Sequence, residues 1–417
     1  MTLNSIKQKL ISLFSNNLYA TSLYARQIAG TVVLFVIARY LSVYEYGLFS
    51  SYKNIAIFCL MFANLGFNEY ILVSSRANVK EVRQKISFFM VNAVFVLVLT
   101  FLFSSLFKME NYYLFCLVAI RSFFDAIFFL LILPYFQAAK KFNVISYVNI
   151  FYAVGITAIA VLAYIFKLSL VKFLYLNIAL GLFNFIQCSF YAKIRYIIVL
   201  RHLVRYFKML DKSIFAYAGT IISFYLYSQI PSLYVSTFLT KTDAALYFAA
   251  FTISSVINLF IAALNQKIVS ELIYIDKSQA KIILKNNFFL LLKVNLLILI
   301  FFALTGKFIL RLFYGQAYYE NAYVPLLILS MSNIWLAMAN VYGAYITASG
   351  KQKYKIPNQV VAIFIAIFML LITFKIGILS PCIACFASSL YVAIMYTKQA
   401  FKFLKYQNIK ENLCNNN

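Results

Sequence analysis

Acidic residues are scarce in this chain: 11 Asp and Glu stand against 37 Lys and Arg, a net charge of +26 over 417 residues. All charged residues together make up only 12%, against roughly 25% in a soluble domain. With 64% hydrophobic residues, no soluble core could hide so much apolar surface, which excludes a soluble globular protein. The same hydrophobicity excludes disorder. Six Cys, 11 Gly and 5 Pro are too few for a disulfide scaffold or a low-complexity chain. The one His, His202, has no partner for catalysis or metal binding. There is no P-loop for ATP, no Ser/His/Asp set and no paired carboxylates. Neither a catalytic residue nor a metal or other cofactor is therefore expected. Cys382 and Cys385 form a CxxC, but inside an apolar run they read as two core thiols.

Long apolar runs are what the chain has instead. A membrane span needs roughly 20 mostly apolar residues. About twelve segments qualify, near 17–41, 47–73, 84–107, 111–137, 144–166, 170–192, 214–238, 243–270, 287–312, 320–348, 357–375 and 377–400. The runs are continuous and do not alternate, so they predict helices and not a β-barrel. The expected fold class is an all-α polytopic membrane protein. Pro134, Pro231 and Pro325 lie within these segments and are expected to kink them. Residues 1–14 (MTLNSIKQKLISLF) read as a separate amphipathic surface stretch, and the long first apolar run does not fit a cleavable signal.

The basic residues set an orientation. One set of connections, with both termini, holds 25 of them, and the opposite set holds 8. The positive-inside rule then makes both termini cytoplasmic. The charge serves topology and anionic lipid, with no nucleic acid required. The longest basic connection, 193–212, falls after six segments, giving an N-terminal lobe at 1–200 (spans 1–6) and a C-terminal lobe at 201–417 (spans 7–12). YLSVYEYGL at 40–48 aligns with FLTKTDAAL at 238–246. In both, a Ser or Thr precedes an acid by three residues, a capping box for the second helix of the half. Two such six-helix lobes imply a pseudo-twofold axis along the membrane normal, with the substrate site between them.

Four cations fall inside spans: Arg26, Lys53, Arg121 and Lys293. Charge within a bilayer is costly and marks function by default. Lys293, nearest a loop, reads as a snorkelling side chain. Arg26 shares a small, polar helix face with Tyr19, Ser22 and Gly30. Arg121 and Asp125 are four apart and can pair. The pair reads either as a structural ion pair or as an Asp whose protonation frees Arg121 for an anion. Arg26, Lys53 and Arg121 are the candidate substrate-binding residues, since Arg offers a planar fork to phosphate. Asp125 and Glu69 are the candidate coupling acids. Candidate cavity-lining residues are Ser22, Thr220, Ser223, Tyr227, Asn333 and Asn340, with helix–helix hydrogen bonding as the other reading.

Several stretches resemble a known family. ARYLSVYEYGLFSS at 38–51 with NLG at 64–66, LPYFQAAKK at 133–141, LFYGQAYYENAYVPL at 312–326 and ASGK at 348–351 are similar to segments of Wzx-type O-antigen and polysaccharide flippases. These belong to the multidrug/oligosaccharidyl-lipid/polysaccharide (MOP) exporter superfamily. Where the family often has Trp-Tyr-Phe-Gln-Gly, this chain has Tyr-Phe-Gln-Ala. The resemblance implies a flippase of the bacterial inner membrane. It would carry an undecaprenyl-pyrophosphate-linked oligosaccharide by alternating access, through a cationic central cavity. Its partners would be that glycolipid, membrane lipids, and the polymerase and chain-length proteins of the same pathway. The alternatives are a multidrug or metabolite exporter of the same superfamily and a membrane-embedded polymerase or glycosyltransferase. Multidrug members are expected to keep acids in the cavity, and an enzyme is expected to need an extramembrane sugar-binding loop.

Overall fold

The computed structural model describes residues 3–63, 79–106, 109–139, 141–192, 212–272, 277–349 and 351–415. Glu69, His202 and the expected lobe boundary at residue 200 lie outside them. Among the described residues the secondary structure is entirely helical. The helices are α1 (Leu3–Tyr40), α2 (Val43–Leu60), α3 (Val79–Leu106), α4 (Tyr112–Ile127), α5 (Leu133–Ala138), α6 (Phe142–Ile165) and α7 (Leu170–Ala192). There follow α8 (Lys212–Phe238), α9 (Lys241–Leu272), α10 (Lys277–Tyr314), α11 (Tyr323–Ala348), α12 (Lys355–Thr373) and α13 (Leu379–Asn415).

Eight of these rods, within the described residues, are long and apolar enough to cross a membrane. The other four expected spans overlap α2, α3, α8 and α9, which are helical, and α3 holds the apolar stretch Phe89–Leu102. α2 carries Ser50, Ser51, Lys53 and Asn54 within one five-residue stretch. Three helices run well beyond their apolar stretches. α1 is continuous from Leu3, so residues 3–14 extend the first helix and do not form a separate surface element. α10 begins at Lys277, and α13 continues through the basic tail to Asn415.

The local signals act as the residues dictate. Ser42 Oγ accepts from Glu45 N at 3.2 Å, and Ser42 N donates to Glu45 Oε2 at 3.0 Å, closing a capping box at the start of α2. At the start of α9, Thr240 Oγ1 accepts from Asp243 N at 3.1 Å and donates to Asp243 Oδ2 at 2.7 Å. The two halves thus begin their second helices alike.

The prolines differ in effect. Between α4 and α5 the helix widens into a π-turn, Phe128–Ile132, closed by Leu133 N–H to Phe128 O. That extra residue accommodates Pro134, which has no N–H to give. Pro231 stands inside α8. Pro325 is only the third residue of α11, where an N–H would have no intrahelical partner, so the expected kink is absent there.

The α12–α13 turn is made by Gly377 at φ 59° and ψ −125°. An L side chain is strained in that region. Gly377→Ala is expected to lower stability by about 1–3 kcal/mol, measured as the unfolding midpoint in detergent. An unchanged midpoint would contradict that backbone assignment.

The chain divides into two compact units, Met1–Ile222 and Ser223–Asn417. In the first, α1 packs along α6, and α4 packs against α2, α3 and α7. Its core gathers Leu60, Phe89, Phe128, Leu131, Tyr135, Phe136 and Cys188. In the second, α11 is central, packing against α9, α10 and α13, while α12 lies on α13. Its core includes Tyr227, Leu284, Val341, Val392 and Tyr396. Cys382 is buried there, with Cys385 beside Tyr247 Oη at 3.8 Å.

Candidate functional site

The charged residues expected inside spans 1, 2 and 4 converge in the first unit. Asp125 and Arg121 lie near the end of α4, just before the π-turn. Arg26 approaches from α1, and α6 adds Asn149 and Tyr152. Arg121 Nη1 reaches Asp125 Oδ2 at 2.7 Å, and Arg26 Nη2 lies 3.8 Å from Asp125 Oδ1. Tyr152 Oη donates to Asp125 Oδ1 at 3.0 Å and accepts from Arg121. Arg26 Nη1 reaches Asn149 Oδ1 at 3.5 Å, and Asn149 Nδ2 donates to Ser22 Oγ at 3.3 Å. Gln137 on α5 donates to Tyr19 Oη at 2.5 Å, tying the LPYFQAAKK segment to the polar face of α1.

The aromatic setting of Arg26 is unusual. Its guanidinium lies 3.5 Å from the Phe128 ring centroid and 3.7 Å from that of Tyr152, with Phe129 at 5.1 Å. Phe128 and Phe129 are neighbours in sequence, and the π-turn brings both within reach of one cation. Such contacts are worth roughly 0.5–2 kcal/mol each, and they fix the plane of the fork. Lys53 on α2 is half-buried and within electrostatic reach of Asp125 and Arg121. The cluster therefore holds three cations and one carboxylate. Lys293, by contrast, is exposed on α10.

The expected lining residues of the C-terminal half are dispersed. Thr220 is buried on α8. Ser223 Oγ donates to Gln359 Oε1 on α12 at 2.5 Å. Tyr227 is buried edge-on to Phe224. Asn333 Nδ2 donates to Ser254 O at 2.8 Å, and Asn340 is half-buried. The Ser223–Gln359 contact joins two neutral side chains, where its counterpart in the first half adjoins Arg26. Each contact joins the first helix of a half to a later one: Ser22 on α1 to Asn149 on α6, and Ser223 on α8 to Gln359 on α12. Among the described residues no group of three His, Cys, Asp or Glu is placed to hold a metal.

Sequence reasoning missed Asn149, Tyr152, Phe128, Phe129 and Gln359. A signal existed for the first two. Ser146, Asn149 and Tyr152 are spaced by three along α6 and are all buried, a polar stripe in an apolar span. Nothing in the sequence marks the π-turn that aims the phenylalanines.

No protein-family model and no curated protein matches the chain. Solved structures do. A lipid II flippase, MurJ, in an inward closed conformation superposes with a TM-score of 0.65 at 14% identity, covering 94% of this chain and 92% of that one. This chain has the fold of the MATE and MurJ transporters. An inward-facing multidrug resistance MATE family transporter of the MOP superfamily gives a TM-score of 0.62 at 11% identity, over 91% and 95% of the two chains. A MOP superfamily transporter from Pyrococcus furiosus gives 0.59 at 10% identity, over 94% of each. With the apolar helices, the MATE–MurJ fold makes this a multi-pass membrane protein. At these identities the likeness concerns the fold, which carries both multidrug transporters and a lipid flippase.

Proposed function

We propose that this protein is a flippase. It moves an undecaprenyl-pyrophosphate-linked oligosaccharide, an O-antigen or related polysaccharide repeat unit, across a bacterial inner membrane by alternating access. Both termini are cytoplasmic in this reading. The observation that carries it is the net positive cluster of Arg26, Lys53 and Arg121 against the single carboxylate of Asp125. A pyrophosphate and a glycan rich in hydroxyls do not cross hydrocarbon unaided, since each unsatisfied polar group costs several kcal/mol. Fixed guanidinium donors offset that cost for the phosphates. The polyprenyl tail remains in lipid. Asp125 and Glu69 are the acids available for coupling to an ion gradient. Partners are the polymerase and chain-length proteins that receive the translocated unit.

The competing reading is a drug or metabolite exporter, favoured by the fold of the multidrug MATE transporters. A cationic drug is poorly served by three cations around one acid. A deletion strain separates the two. The flippase reading expects loss of surface polysaccharide and build-up of lipid-linked units on the cytoplasmic leaflet. Normal polymer with a changed drug-resistance profile would overturn it.

A further inference from the structure

Asp125 is more accessible than either arginine it pairs with. Its side chain is 35% exposed, against 13% for Arg121 and 2% for Arg26. Its two oxygens are divided as two oxygens of a phosphate would be. Oδ2 takes Arg121, while Oδ1 takes Tyr152 and faces Arg26 at 3.8 Å. Arg26 retains a buried Nε with no hydrogen-bond partner. An anion reaching these buried guanidiniums meets the carboxylate first, and the donors it needs are already engaged.

We infer that Asp125 is a resident counter-anion, a built-in stand-in for the ligand's phosphate, which the ligand displaces from Arg121, Arg26 and Tyr152. The inference rests on the anionic-ligand part of the proposed function and adds how that site is regulated. With Asp125 bound, two like-charged guanidiniums are held together without a substrate. When a diphosphate arrives, the carboxylate swings out and the two guanidiniums pass to phosphate oxygens. The exchange trades one anion for another on the same guanidiniums, so affinity for the ligand is the difference between two similar interactions. Loading and release are then both accessible at moderate energy, as a transporter requires. The hydroxyl of Tyr152 strengthens the resident state, while its ring holds Arg26 in either state.

The test uses the purified full-length protein in detergent, titrated with inorganic pyrophosphate and with farnesyl pyrophosphate as a soluble prenyl diphosphate. Asp125→Asn removes the competitor's charge and is expected to lower the pyrophosphate Kd by about ten- to a hundredfold, the scale of one charge-assisted contact. Tyr152→Phe keeps the ring and loosens the carboxylate, and is expected to lower Kd by about two- to tenfold. A larger gain for the prenyl ligand assigns the site to a lipid headgroup, and an equal gain to a free diphosphate. Either supports displacement. If Asp125→Asn does not fold, Tyr152→Phe decides alone. A folded variant that binds no tighter than wild type, or no binding to any form, overturns the inference. If polymer export still depends on Arg26 in that case, the flippase reading survives. Normal polymer in the deletion strain removes the flippase reading whatever the variants bind.

Discussion

Arg26→Ala is expected to abolish rescue of surface polysaccharide in a deletion strain while the protein still accumulates in the membrane. The side chain is buried on α1 and contributes little to Asp125, whose closer partner is Arg121 at 2.7 Å. Its loss leaves Asn149 Oδ1 short of one donor and removes the stack on Phe128 and Tyr152. The fold tolerates this better than the function does. A bidentate contact to a phosphate is worth about 1.5–3 kcal/mol, roughly ten- to a hundredfold in affinity. Arg26→Lys separates charge from geometry. Lysine keeps the charge but not the planar fork or its stacking, so rescue is expected to be partial. Polymer is read on gels, and membrane insertion by immunoblot of the membrane fraction. Full rescue by Arg26→Ala would remove Arg26 from the site.

The Arg121–Asp125 pair gives the second large effect, on stability. Removing one partner of a fully buried ion pair costs about 3–5 kcal/mol, and with the Asp125 side chain 35% exposed solvent screening brings this to about 1–3 kcal/mol. Arg121→Ala leaves Asp125 with Arg26 at 3.8 Å and Tyr152. Asp125→Ala leaves two guanidiniums near each other with no carboxylate between them. Either single change is expected to lower the unfolding free energy by that amount. The double change is expected to cost less than the sum, with a coupling of about 1–3 kcal/mol. A double-mutant cycle on unfolding in mixed micelles measures it. Additivity within about 0.5 kcal/mol would show that the contact is not maintained in the folded protein.

Much of this arrangement is legible in the sequence, for identifiable reasons. A charge in an apolar run is conspicuous, so Arg26, Arg121 and Asp125 stand out from the residues around them. Their i, i+4 pairing on α4 follows from helical geometry. The Ser42–Glu45 and Thr240–Asp243 caps are local, and local chemistry reads directly from adjacent residues. Gly377 similarly marks the break in the fused apolar run between α12 and α13. What escapes sequence is contact between distant segments. Arg26 and Asn149 are 123 positions apart, and nothing in either segment names the other. Tyr152 looks like one of 33 tyrosines, yet it touches both arginines and the carboxylate. Likewise the π-turn depends on how α4 and α5 share Pro134 with their neighbours, and no dipeptide announces it. Helix ends beyond the apolar stretches are also hidden. The polar segment from Lys277 (KSQAKIILK) is rich in good helix formers, so that rod continues where hydropathy stops.

The parallel caps at Ser42 and Thr240 support a common plan for the two halves, with the charged cluster in the first. In the flippase proposed above, Arg26 and Arg121 would supply donors for the phosphates, and neutral pairs such as Ser223–Gln359 are of a kind suited to hydroxyls.

Flipping itself is measured by translocation in proteoliposomes. The purified protein is reconstituted with an undecaprenyl-pyrophosphate-linked oligosaccharide, and the glycan accessible to an added glycosidase is followed over time. Wild type is predicted to move protected glycan into the accessible leaflet, and Arg26→Ala to leave it protected at the level of empty vesicles. Wild-type protein that moves none, or Arg26→Ala that moves as much as wild type, would contradict the account.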